Sequence, residues 1–152
     1  MIEVKVRSIV MVDVENALGS PTVTRGEVAG LMSQLEAAFG VTSQYVLAAS
    51  HSLNALEIGL ACPGRSVIWM PGKDGADHAL CAEIVNPTTL SQFDRIVLVS
   101  GDGIFAPGLA GAAHAGVATT VLSRRDALSP KLRLAAHHTI TFVHTTEISE
   151  VA

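Results

Sequence analysis

Ile96-Val97-Leu98-Val99 runs straight into Ser100-Gly101-Asp102-Gly103, and a stretch rich in alanine and glycine follows. Four aliphatic residues without polar alternation suit a strand buried on both faces, as in a parallel sheet. The glycines mark the turn at the strand's carboxyl end, and residues 104–115 predict a helix. In open α/β sheets, ligands bind just outside that edge. Gly101 and Gly103 let backbone come close to whatever sits there. Asp102 between them is a candidate for metal or proton chemistry; its plainer reading is a helix N-cap.

The same unit recurs along the chain. Residues 8–12 form a short apolar run that ends at Asp13. Residues 24–39 place Val28, Leu31, Met32, Leu35 and Phe39 at helical spacing. Thr24 and Glu27 fit a capping box, and Gly40 fits a stop. Strands are expected at 43–49, 66–70, 117–122 and 139–143, with helices at 51–60, 76–85 and 129–136. Asn86-Pro87 is expected to end the helix at 76–85. Strand and helix in alternation imply right-handed crossovers and a mostly parallel sheet with helices on both faces. One three-layer α/β/α domain is expected to fill residues 1–152, with no linker or repeat.

Composition narrows the function. No apolar run approaches the roughly 18 residues of a membrane span, and residues 1–7 carry no signal core. Cys62 and Cys81 share no metal-ligand spacing and read as reduced, mostly buried thiols, so the expected location is cytoplasmic. A net charge of -4 argues against a broadly basic coat for nucleic acid, although acids gathered in a site would dominate that sum. Aromatics at 4% do not support a base-stacking platform. Arg124, Arg125, Lys131 and Arg133 form a local basic stretch, either a hold for an RNA backbone or a solvated face. His137-His138 reads as structural.

Three carboxylates share one kind of position. Asp13 and Asp102 end the first and fourth strands, and Asp77 opens the helix after the third. If the first and fourth strands are neighbours, Asp13 and Asp102 face one crevice. Two carboxylates about 4 Å apart cost roughly 4 kcal/mol at an effective dielectric near 20. A fold tolerates that with a divalent cation between them or a proton on one of them. Oxygen ligands alone favour Mg²⁺ or Mn²⁺ over Zn²⁺. Each acid also has a structural reading, Asp13 as a cap and Asp77 as a partner of the helix dipole. Asn16 is a candidate to orient Asp13 or a phosphate, Lys73 to meet a phosphate, and Ser100 to hydrogen-bond in the site; turn, solvated lysine and cap are the alternatives. Glu83 is an outer candidate on the helix that carries Asp77.

These residues carry a resemblance. Val12-Asp13-Val14-Glu15-Asn16 resembles the D-x-x-N opening of the NYN domains, within the PIN-like nuclease superfamily. Residues 73–80, KDGADHAL, resemble that family's K-x-x-D-x-x-L segment, and residues 99–107, VSGDGIFAP, its S-G-D-x-D-F-x-P signature. The resemblance implies a PIN-like sheet of strand order 3-2-1-4-5 and a metal-dependent ribonuclease acting on RNA with Mg²⁺ or Mn²⁺. It implies that Asp13, Asp77 and Asp102 are the catalytic, metal-binding acids, with Asn16, Lys73 and Ser100 supporting them. One departure stands out: the second acid of S-G-D-x-D is Ile104 here. Glu15 and Glu83 are the acids available to compensate.

The alternative is an RNA- or protein-binding module weakened by that loss. A homodimer and a protein regulator are compatible with either reading. A phosphoryl-transfer domain fits less well. A receiver domain wants a lysine after the fifth strand, where Ser123-Arg124-Arg125 stands, and a haloacid-dehalogenase-like phosphatase wants D-x-D where Asp13-Val14-Glu15 stands.

Overall fold

The computed structural model describes residues 5–152, so part of the stretch read for a signal, residues 1–4, lies outside it. Six strands form one sheet: β1 (Ser8–Asp13), β2 (Gln44–Ala49), β3 (Ser66–Trp69), β4 (Arg95–Val99), β5 (Ala118–Arg124) and β6 (His138–Phe142). Their order is β3-β2-β1-β4-β5-β6, and every neighbouring pair is parallel. The expected order is present, and the last strand extends the sheet beside β5.

The central strands show why apolar runs without alternation belong here. Val10, Val12, Val97 and Val99 pack on one face against α2 (Arg25–Phe39), with α3 (Ser52–Ala61) and the short α8 (Ile148–Val151) beside it. Ile9, Met11, Ile96 and Leu98 pack on the other face against α4 (Gly75–Ile84), α6 (Ala106–His114) and α7 (Pro130–Ala135). Successive residues of a strand point to opposite faces, so a strand covered on both must be apolar throughout. The result is a three-layer α/β/α architecture. No helix among the described residues is long and apolar enough to cross a membrane.

Local signals behave mostly as expected. The Thr24 hydroxyl accepts the Glu27 N–H at 3.2 Å, and the Glu27 carboxylate accepts the Thr24 N–H at 3.1 Å, completing the capping box. Besides a short C-terminal helix, α8, the main departures from expectation are three. A one-turn helix, α1 (Val14–Leu18), starts directly after Asp13 and ends at Gly19 in the left-handed conformation. Asn86 and Pro87 do more than end α4. Asn86 caps a further helix, α5 (Pro87–Gln92), by accepting the Thr88 N–H at 2.9 Å, with Pro87 at its first position. The helix expected from residue 104 divides into a 3₁₀ turn over Gly103–Phe105 and α6, because Phe105 is drawn into the core while Ile104 stays 37% exposed.

Candidate active site

The pleat aims the polar strand ends. Ile9 and Met11 of β1 face α4 and α6, so Asp13, two residues on, has the same phase. Ser100 follows Leu98 by two residues beyond β4, and Ser50 follows Ala48 by two beyond β2. All three reach the carboxyl edge on the face that α4 covers. There the Ser50 hydroxyl accepts the Ala76 N–H at 2.9 Å and holds the first turn of α4 against the sheet. That turn carries Asp77.

Asp13 and Asp77 meet. They are only 4% and 7% exposed and are hydrogen-bonded to each other. Burial first, then the hydrogen bond to Asp13 and the charges of Asp13, Asp102 and Asp74, push the Asp77 carboxyl up to about 8. Burial raises Asp13 as well, although hydrogen bonds from Asp77, Ser100 and the Asn16 backbone pull it back. At neutral pH the pair therefore holds a proton, and it titrates as a unit.

Around the pair, a chain of short contacts fixes the loop after β4. The Ser100 hydroxyl donates to Asp13 Oδ2 at 3.1 Å, and the Asp102 N–H donates to Ser100 Oγ at 3.3 Å. Asn16 Oδ1 accepts the Gly101 N–H at 3.0 Å. A Cβ on Gly101 would lie 2.3 Å from the Ala127 carbonyl oxygen, so only glycine allows this loop to pack on the one after β5. Asp102 also keeps its plainer role: Oδ1 accepts the Ile104 N–H at 3.0 Å and caps the 3₁₀ turn.

The other candidates are placed differently. Lys73 is exposed in the loop before α4 and makes no ion pair among the described residues. It stands four residues before Asp77, one more than K-x-x-D requires, and Asp74 occupies the matching position. Glu83 does not reach the site. It shares a recess with Ile9, Gln44 and Ser66, near the amino ends of the strands. Glu15 is close to the acids, but its carboxylate accepts the Ser50 N–H at 2.5 Å and lies 3.6 Å from His51 Nε2. Ser50 and His51 were not singled out from sequence. The signal for Ser50 was present: a hydroxyl closing an apolar run, as Ser100 does. Burial and then the charges of Asp77 and Asp102 raise the thiol of Cys81, one turn beyond Asp77.

Among the described residues, no group of three His, Cys, Asp or Glu side chains is arranged to hold a metal ion. The donor chemistry still fits one. Two buried carboxylates held together by a proton are all-oxygen donors whose repulsion a hard cation would relieve.

The NYN domain model matches residues 7–146, which is most of the chain. The chain belongs to the NYN domain family. This is a family of PIN-like nuclease domains, whose members typically use divalent metals. No curated protein matches the chain. A crystal structure of a Vibrio parahaemolyticus protein of unknown function is similar, with a TM-score of 0.65 over 93% of this chain and 95% of that one. At 19% identity the likeness concerns the fold alone. In this NYN domain the D-x-x-N and S-G-D segments lie side by side, joined through Ser100 and Asn16.

Proposed function

We propose that this NYN domain, read as one unit over residues 1–152, is a Mg²⁺- or Mn²⁺-dependent ribonuclease. Two buried carboxyls set side by side, Asp13 and Asp77, carry the reading. A fold gains nothing structural from pressing two buried carboxylates together, whereas a nuclease needs adjacent oxygen donors. Asp13 and Asp77 would hold the cation, with Asp102 beside them. When bound, Mg²⁺ or Mn²⁺ supplies Lewis-acid activation of water and offsets phosphodiester charge. Ser100 fixes the orientation of Asp13, and Asn16 fixes the loop that carries Asp102. Binding at the acid pair has to displace the shared proton, so affinity should rise with pH.

The test is Mn²⁺-dependent cleavage of a mixed RNA pool. Cleavage should be present in the wild type and absent in Asp13→Asn and Asp102→Asn, with folding intact by circular dichroism. A second reading, an RNA-binding module without catalysis, is favoured by Ile104 in the place of an acid and by the engagement of Asp102 as a cap. Wild-type protein that retains RNA but cleaves none with any divalent ion would establish that reading instead.

A further inference from the structure

Beside the acid pair lies a cavity of about 760 Å³ whose lining includes Glu15, Gly19, His51, Lys73, Asp74 and Arg124. That size is within the roughly 300–1,000 Å³ typical of small-ligand sites. Its walls come from the carboxyl ends of four strands, so it opens along the same edge as the acids. The proposed function takes RNA as substrate but gives this space no occupant.

Arg124 is built into the wall. It ends β5 on the face opposite the acids, and its side chain is 27% exposed. Its Nε donates to the Asn16 carbonyl at 3.0 Å, and Nη1 donates to both Asp126 oxygens at 3.0 and 3.2 Å. The guanidinium lies over Gly19, where a Cβ would stand 2.8 Å from Cζ. Nη2 has no hydrogen-bond partner among the described residues. A guanidinium fixed on three sides with one nitrogen uncommitted is suited to an oxyanion. Lys73, which makes no ion pair among the described residues, adds a second cation.

Asp74 brings a different chemistry. It has φ 62° and is the single non-glycine residue with positive φ among those described. Glycine would take that conformation without strain. The Asp74 side chain does not cap α4, and it forms no ion pair among the described residues. It lines the cavity three residues before Asp77, and its charge is felt there. Glu15, by contrast, is already engaged with Ser50 and His51. A carboxylate without an ion pair, lining the same cavity as Lys73 and the uncommitted nitrogen of Arg124, matches a ligand that carries both a phosphate and a hydroxyl donor. A ribonucleotide has both, and its 2′-hydroxyl is what distinguishes RNA from DNA.

We propose that this cavity seats one ribonucleotide of the RNA strand, with Arg124 and Lys73 on its phosphate and Asp74 on its ribose 2′-hydroxyl. The assignment rests on the ribonuclease reading for its substrate, but it is tested without catalysis. Fluorescence anisotropy in EDTA measures binding of a labelled single-stranded RNA and of DNA with the same sequence. The wild type should prefer RNA by about tenfold, as a hydrogen bond to a charged acceptor allows. Lys73→Ala and Arg124→Ala should weaken RNA and DNA alike and lower the salt dependence by about one ion each. Asp74→Gly should bring RNA affinity down to that of DNA while melting no lower than the wild type. Asp74→Asn, which keeps a neutral acceptor, should fall between.

Equal binding of RNA and DNA by the wild type would overturn the assignment. So would an unchanged RNA-to-DNA ratio in both Asp74 variants, or unchanged affinities in Arg124→Ala. A wild type that selects RNA through Asp74 but cleaves nothing in Mn²⁺ would end the ribonuclease reading and leave the cavity's assignment standing.

Discussion

The two edges of the sheet handle charge in opposite ways. At the amino edge, Arg65 donates to the Glu36 carboxylate at 3.0 Å, to the Val41 carbonyl at 2.9 Å and to the Ser43 carbonyl at 3.3 Å. Its guanidinium lies 4.5 Å over the Tyr45 ring. Each group there has a complement, and the cluster ties α2, β2 and β3 together. At the carboxyl edge, Asp13 and Asp77 are two acids set side by side, nearly dry, and one of them keeps its proton. An arrangement that has to keep a proton in the absence of a ligand is a stronger pointer to chemistry than one whose charges are already paired.

The contrast can be broken by exchanging the damage. Asp13→Asn should reduce Mn²⁺-dependent RNA cleavage by at least about a hundredfold, the order seen when a group acting in the transition state is removed. Its thermal unfolding should change little, because the pair already holds a proton at neutral pH and the amide keeps the carboxylate's shape. Loss of fold together with loss of cleavage would make Asp13 a structural residue like those of the other edge.

Next in size is the pH dependence of the metal-free protein. Asp77 titrates near 8 in the folded chain against an ordinary value of 3.8, so the folded state keeps a proton that the unfolded state gives up. That contribution is complete below about pH 4 and is lost as pH rises through about 8. Urea unfolding in EDTA should therefore show stability falling across this window, with a flatter profile in Asp77→Asn. Excess Mn²⁺ should restore stability at the alkaline end. A slope unaffected by Asp77→Asn would place the titrating group elsewhere.

Arg65→Ala probes the other edge. It removes three hydrogen bonds and a ring contact, so stability should fall by about 1–3 kcal/mol, with cleavage per folded molecule retained. Chemical denaturation and an activity assay on the same sample check both halves. The smallest effect is expected for Ile104→Asp. At 37% exposure the new carboxylate is not buried unpaired, so stability should change by no more than about 0.5 kcal/mol. Mn²⁺ affinity by calorimetry should rise, since an acid then stands beside Asp102. A melt far below the wild type would show that Ile104 is a core residue after all.

The fold was legible because its signals are redundant. Six apolar runs, the capping box at Thr24 and the glycines after β4 all favour the same architecture. The acids could be found from sequence because each closes or follows an apolar run. What escaped the sequence depends on contacts between distant positions. Ser50 matters because it receives the Ala76 N–H; Arg124 reads as part of a basic stretch, but its seat over Gly19 does not show in the sequence. A helix as short as α1 carries too few residues for periodicity to register. Asn86-Pro87 stops one helix and starts the next with the same two residues, so its second role is hidden by its first. Glu83, an outer candidate by its place on α4, does not reach the site because that helix runs from the carboxyl edge toward the amino edge and carries it there.

Asn16 serves both halves of this edge. Its amide oxygen holds Gly101, and its backbone oxygen holds Arg124. A restraint shared by two binding places acts as a thermodynamic lever with equal arms. Any gain in cation affinity that RNA confers by ordering this residue must be returned by the cation as an equal gain in RNA affinity. Measuring Mn²⁺ binding with and without a non-cleavable RNA, in wild type and in Asn16→Ala, reads the length of that lever. The coupling should shrink when the amide is removed, even if each ligand still binds alone.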